Sequence, residues 1–156
     1  MVMRCPVSRL SSTDFDEFGQ VFDVAHCADR PLDAGRLRQG RSGSRPSLLG
    51  LRVDPKPLPL LIQRLERHRF SSQSFIPLDP GRYWVIVAPS DSAGLPEPHR
   101  MRAFVAEDTQ IVTLNPGTWH FQATTLTATM RFAIVMWCED LGADTEFATI
   151  ADVTIE

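Results

Sequence analysis

From Ser47 to the C-terminus, turn residues cut this chain into short apolar runs, and that rhythm admits few folds. Leu48 to Val53 reads as a strand and is followed by Pro55-Lys56-Pro57-Leu58-Pro59. Further β-type runs are Gln73 to Pro77, Tyr83 to Ala88, Arg102 to Ala106, Gln110 to Leu114, His120 to Thr125 and Thr129 to Cys138, with Thr145 to Ile155 as a moderately β-prone tail. Asp79-Pro80-Gly81, Glu107-Asp108 and Pro116-Gly117 separate neighbouring runs. Eight or more short strands divided by such turns predict a mainly β sandwich or barrel. Leu60 to Arg69 fits a strand. A helix competes there, because Leu61, Leu65 and His68 also fit helical spacing. The preceding prolines and the strand-rich sequence beyond favour the strand.

The first part is less regular. Residues 1 to 10 can open as a strand. Ser11-Ser12-Thr13-Asp14 signals a short helix, with capping-box spacing between Thr13 and Asp16. Phe15 and Phe18 share one side, and Gly19 can end the helix. Gln20 to Ala25 can be extended. Residues 28 to 47 are rich in Arg, Gly, Ser and Asp, which predicts a flexible loop of the kind that serves as a lid or binding segment.

Composition excludes several classes. A net charge of −3 gives no reason to expect a nucleic-acid partner. Lys56 is the only lysine, and the arginines are scattered rather than clustered. Cys5, Cys27 and Cys138 lie far apart with no Cys-x-x-Cys, against structural zinc or a disulfide framework, and they fit a reducing cytosol. Cys27 and Cys138 are expected as small apolar fillers. There is no apolar run of signal-peptide or membrane-spanning length, so a cytoplasmic location away from membranes is expected. At 156 residues the chain is expected to form a single domain, 1–156.

Chemistry concentrates in two places. In Asn115-Pro116-Gly117-Thr118-Trp119-His120, a tight turn delivers His120 to the start of a strand. Upstream, Glu66 and His68 are two apart and share a face on a strand, with Gln73 five residues further on. These four polar side chains could converge inside a small barrel. The spacing resembles the two motifs of cupins, with Glu66, His68, Gln73 and His120 in the ligand slots. That resemblance implies a cupin-type double-stranded β-helix (a jelly-roll-like barrel) with a short N-terminal helix. The bland alternatives are an exposed pair at Glu66 and His68, a core His120, a Gln73 bonded to a neighbouring strand, a surface Arg102 and a packing Trp119. His26 and His99 fall in presumed loops and are expected to be solvated.

Leu65-Glu66-Arg67-His68 followed by Ser72-Gln73-Ser74-Phe75-Ile76-Pro77-Leu78 resembles the ureidoglycolate lyase family, once called ureidoglycolate hydrolases. Arg102-Ala103-Phe104, the Trp119-His120 pair and the Phe-x-x-Phe-Gly-x-Val spacing within Leu10 to Val24 extend the similarity over about 7 to 137. The resemblance implies cleavage of ureidoglycolate to glyoxylate and urea in purine and allantoin nitrogen catabolism, by a homodimer. It implies roles for Glu66, His68, Gln73 and His120 as catalytic groups or as ligands of a divalent metal (Ni, Mn, Fe or Zn). Arg102 would clamp the small-molecule carboxylate substrate, and Phe75 and Trp119 would wall the pocket. The 28 to 47 loop keeps little of the family pattern, and three further places depart from it. Phe121-Gln122 stand where a second His and Pro are usual, Arg69 stands for Pro, and Cys138-Glu139-Asp140-Leu141-Gly142 stands for Asp-Arg-Gly-Gly. Two other functions stay open: a cupin enzyme on another small hydroxy- or keto-acid, and a non-catalytic cupin that binds a small acid or metal.

Overall fold

The computed structural model describes residues 2–29, 37–140 and 142–156. In chain order the elements are β1 (Met3–Arg4), β2 (Val7–Arg9), α1 (Ser12–Phe15), β3 (Gly19–Asp23), β4 (Arg45–Val53), β5 (Leu60–Arg67), β6 (Gln73–Pro77) and β7 (Arg82–Ala88). They continue with β8 (Arg102–Glu107), β9 (Gln110–Leu114), β10 (Trp119–His120), β11 (Thr124–Thr125), β12 (Met130–Cys138) and β13 (Glu146–Ile155). The fold is mainly β with a short N-terminal helix, as a cupin-like jelly roll requires. The helical alternative for 60–69 is not adopted.

One sheet runs β1-β13-β5-β10-β7-β8-β2, with β11 added to β7; the other runs β3-β9-β6-β12-β4. The two ends of the first path belong to one stretch of chain. β1 pairs in parallel with β13, and β2 pairs in parallel with β8. Between them Cys5 N–H donates to the Thr154 carbonyl, and the Pro6 carbonyl accepts from Ala103 N–H. Pro6 has no N–H to offer, which breaks the expected opening strand into two pieces and lets each piece serve a different neighbour. The sheet therefore curls until the N-terminal stretch bridges its edges, leaving no long open edge there.

Two cores follow. Inside the curl lie Cys5, Leu60, Ile62, Leu65, Trp84, Ile86, Ala103, Trp119 and Val153. Between the curl and the second sheet lie Phe15, Phe18, Tyr83, Val85, Val87, Phe104, Val112 and Phe132. Alternation along β7 sends Trp84 and Ile86 to one core, and Tyr83, Val85 and Val87 to the other. β7 is thus a wall apolar on both faces, which explains its unbroken apolar sequence.

The start of the helix differs from its predicted signature. Its N-cap is Ser11, whose Oγ accepts from Asp14 N–H at 3.2 Å, and not Thr13. Ser11 and Asp14 already have capping-box spacing, and Ser11 is the residue with extended backbone. Gly19 opens β3, where a Cβ would lie 2.0 Å from the Thr113 carbonyl oxygen, so only glycine permits this strand pairing. The expected 28–47 loop meets ordered structure at two described places. β4 begins at Arg45, and Gly40 N–H donates to the Phe70 carbonyl at 2.7 Å. Residues 30–36 of that loop lie outside the described residues. Cys27 is exposed and fills no core, whereas Cys138 is buried. His26 and His99 are exposed, as expected. Among the described residues no helix is long and apolar enough to cross a membrane.

Candidate active site

Strand pairing creates the site. β10 is only two residues long and lies between β5 and β7, with His120 directly opposite Glu66. Directly opposed residues share a face. The turn before β10 is held on both sides. Thr118 N–H returns to the Asn115 carbonyl, Gly117 N–H donates to the His68 carbonyl at 2.9 Å, and Thr118 Oγ1 donates to the Phe18 carbonyl at 3.0 Å. Gly117 takes φ of +79°, the conformation for which glycine is suited after Pro116. One turn therefore sets His120 and anchors the backbone of His68.

A break in alternation on β5 aims Glu66. Leu60, Ile62 and Leu65 all enter the inner core, which strict alternation forbids. The phase changes where the register with β13 shifts, between Thr149 and Val153. Beyond that irregularity Leu65 turns inward and Glu66 turns out toward the second sheet.

Glu66, His68 and His120 present ligand atoms that all lie within 4.8 Å of one another. His120 Nε2 is 3.5 Å from Glu66 Oε1, and the two imidazole centroids are 5.5 Å apart. His120 Nδ1 faces the Thr118 carbonyl at 2.9 Å. That carbonyl can only accept, so Nδ1 carries a proton and, in the neutral ring, Nε2 offers a lone pair to the site. His68 Nδ1 lies 3.4 Å from Thr145 Oγ1. Both Nε2 atoms are buried without a hydrogen-bond partner, and so is Gln73 Oε1. Three buried polar atoms without partners are costly unless something arrives to engage them.

The protonation states are consistent with that need. Burial pushes the His68 imidazole down to about 4, and the neighbouring His120 adds to this, so His68 is neutral at neutral pH. Burial pushes the Glu66 carboxyl up, but its contact with His120 and the positive charge that ring carries when protonated outweigh burial and hold it below the ordinary carboxylate range. A carboxylate with two imidazoles is a donor set for a divalent cation, and the orphaned Nε2 atoms fit one.

A cleft of about 410 Å³ runs beside these groups, lined by Glu66, Gln73, Phe75, Gln122, Val53 and Lys56 among others. Gln73 and Phe75 are alternate residues of β6 and share the inward face of the second sheet. The structure thus brings together Glu66, His68 and His120, with Gln73 and Phe75 on the facing wall. It places two expected residues elsewhere. Trp119 faces the inner core, where its Nε1–H donates to the Gly94 carbonyl at 3.0 Å under the Arg67 guanidinium. As the strand neighbour of His120, it must point the opposite way. Arg102 shares the outer face of the curled sheet, but its guanidinium donates to the Asp14 carbonyl at 3.0 Å and covers Phe104. It is engaged with α1 rather than with the cleft. Lys56 and Gln122 line the cleft and were not expected there from sequence; only the prolines flanking Lys56 signal a fixed backbone.

Fold and site together define a cupin-type β-barrel protein with a buried Glu/His/His centre. A family profile described as ureidoglycolate lyase matches residues 2–155, and the chain belongs to that family. Among its relatives is a ureidoglycolate lyase of Burkholderia cepacia, 35% identical over 139 residues that cover 83% of this chain and 77% of the relative. Ureidoglycolate lyase 2 of Rhizobium meliloti is 30% identical, covering 83% of each chain. A ureidoglycolate lyase of Burkholderia mallei is 31% identical, covering 88% of this chain and 82% of the relative.

Proposed function

We propose that this chain, acting as one cupin-like domain, cleaves ureidoglycolate to glyoxylate and urea as a step in purine nitrogen catabolism. The observation that carries the reading is the convergence of Glu66, His68 and His120, with ligand atoms within 4.8 Å of one another, Glu66 lining the cleft and both Nε2 atoms unpartnered.

The reaction needs little beyond proton movement. The substrate carbon bears a hydroxyl, a carboxylate and a urea nitrogen. Ionised Glu66 accepts the hydroxyl proton. The O–H electrons become the second C–O bond of glyoxylate while the C–N bond breaks and its electrons stay on nitrogen. The proton passes from Glu66 to His120 Nε2, 3.5 Å away, and from there to the departing nitrogen, so no net proton is consumed. The Nδ1–H to Thr118 contact holds the ring in the required tautomer throughout. Gln73 holds the urea amide, and Phe75 excludes water from one side. Glu66, His68 and His120 would hold a divalent cation such as Ni, Mn, Fe or Zn, which when bound would polarise the substrate's oxygens as a Lewis acid.

The test is glyoxylate release from ureidoglycolate, measured by a coupled assay with and without chelator and with added Ni or Mn. Stoichiometric urea well above spontaneous decay is expected, with Glu66→Gln lowering turnover at least about a hundredfold. No release under any metal, or an unaffected Glu66→Gln variant, would overturn the reading and direct the search to other small hydroxy- or keto-acids.

A further inference from the structure

An anionic substrate shares this cleft with the Glu66 carboxylate, so a cationic side chain lining it would offset their repulsion and orient the substrate. Arg102, the expected clamp, is committed to the Asp14 carbonyl. Arg52 borders the cleft but pairs with Asp54 at 3.1 Å, and Arg64 lies over the Phe147 ring. Lys56 remains. It lines the 410 Å³ cleft together with Glu66, Gln73 and Phe75. It also lines an adjoining cleft of about 240 Å³ with Glu66, Phe121 and Gln122. Among the described residues no carboxylate pairs with its ammonium. That ammonium sits 5.0 Å from the centroid of the Phe121 ring, an attraction that holds the charge in place without neutralising it. Pro55 and Pro57 restrict the backbone on either side, and Pro55 is bridged to Thr125.

We infer that Lys56 binds the carboxylate of a small 2-hydroxy monocarboxylate substrate, with Phe121 as its support. This rests on the proposed lyase reading for the identity of the substrate. The carboxylate lodges at Lys56, the hydroxyl-bearing carbon faces Glu66 and His120, and the nitrogen substituent extends toward Gln73. Phe121, which stands where the family's pattern has a second His, gains a role in this chain as the platform for its only lysine.

Two measurements on Lys56→Met and Lys56→Arg test this. In steady-state assays, Lys56→Met is expected to raise KM for ureidoglycolate at least about tenfold while kcat changes less than about threefold, and Lys56→Arg is expected to recover most of the loss. In calorimetric titrations with glyoxylate, which require no turnover, Lys56→Met is expected to bind at least about tenfold more weakly than the unaltered protein. Turnover by the unaltered protein, with KM and glyoxylate affinity unchanged in Lys56→Met, would overturn the role of Lys56 and leave the lyase reading standing. Lys56-dependent glyoxylate binding without turnover would support Lys56 and remove the lyase reading. An unaltered protein that does not bind glyoxylate would overturn the inference about Lys56.

Discussion

Trp119 and His120 are adjacent in a two-residue strand and point to opposite faces, so replacing each should move a different observable. Trp119 is 2% exposed and lies under the Arg67 guanidinium, 4.3 Å from the ring centroid. In Trp119→Phe, the bond from the indole N–H to Gly94 is lost, at about 1 kcal/mol. The Gly94 carbonyl is not orphaned, because Arg67 also donates to it at 2.8 Å. Exchanging indole for phenyl removes buried atoms and leaves a small void, a further ~1 kcal/mol. The weaker ring–guanidinium attraction adds about 0.5 kcal/mol. The sum, about 2.5 kcal/mol, lowers Tm by about 5–10 °C in a chain of this size. Because the ring faces away from Glu66 and His68, kcat/KM is expected to stay within about threefold. His120→Asn is the complement. Its amide can still donate to the Thr118 carbonyl, so Tm should fall by less than about 5 °C. The lone pair at Nε2 is gone, so kcat should drop about a hundredfold or more. Thermal unfolding followed by circular dichroism and the coupled glyoxylate assay read the two effects. A Trp119→Phe protein of unchanged Tm and tenfold lower kcat/KM would refute the division of faces.

Two further outcomes follow from other parts of the molecule. The Arg131 side chain and backbone N–H hold the Asp79 carboxyl down from its ordinary 3.8 to about 2. A lowered folded-state value means the contribution is present above the ordinary value and lost as pH falls through the folded one. The Tm of the unaltered protein should therefore fall more steeply between pH 4 and pH 2 than that of Asp79→Asn, and parallel curves would contradict this. The homodimer implied by the family resemblance is also a proposal. It is supported by β4, which ends the second sheet's path, has one edge unpaired among the described residues and carries Leu48, 74% exposed. Sedimentation should give a species of about twice 17.5 kDa, and Leu48→Glu should shift it toward the monomer; a monomer at all concentrations would remove the proposal.

Local chemistry made most strands legible. Gln73 to Pro77 and Gln110 to Leu114 are strands with the bounds read from sequence. β-branched and aromatic runs between turn residues leave little choice there. The sequence at His120 to Thr125 reads as one strand, but the chain makes two short ones, Trp119–His120 and Thr124–Thr125. No local signal at Phe121-Gln122-Ala123 marks the gap. It arises from the register on β7: His120 is opposite Val87 and Thr124 opposite Trp84, so four positions on one side meet three on the other and the extra residue interrupts the ladder.

The amino-acid sequence by itself determined the strand-and-turn rhythm, the Pro-Gly turn that presents His120, and the two-residue spacing that keeps Glu66 and His68 on one face. These are short-range consequences of backbone sterics and side-chain alternation. Which way each face points was decided only in three dimensions. The register shift against β13 changes the phase of β5 so that Glu66 meets the cleft and Leu65 the inner core. The closure of the sheet by residues 3–9 makes two cores out of one wall, and so separates Trp119 from His120. The capture of Arg102 by α1, and the arrival of Lys56 beside Glu66, depend on contacts 88 residues apart in one case and on a shared cleft in the other. Alternation constrains relative directions along a strand, but only pairing with distant strands says which direction is inward.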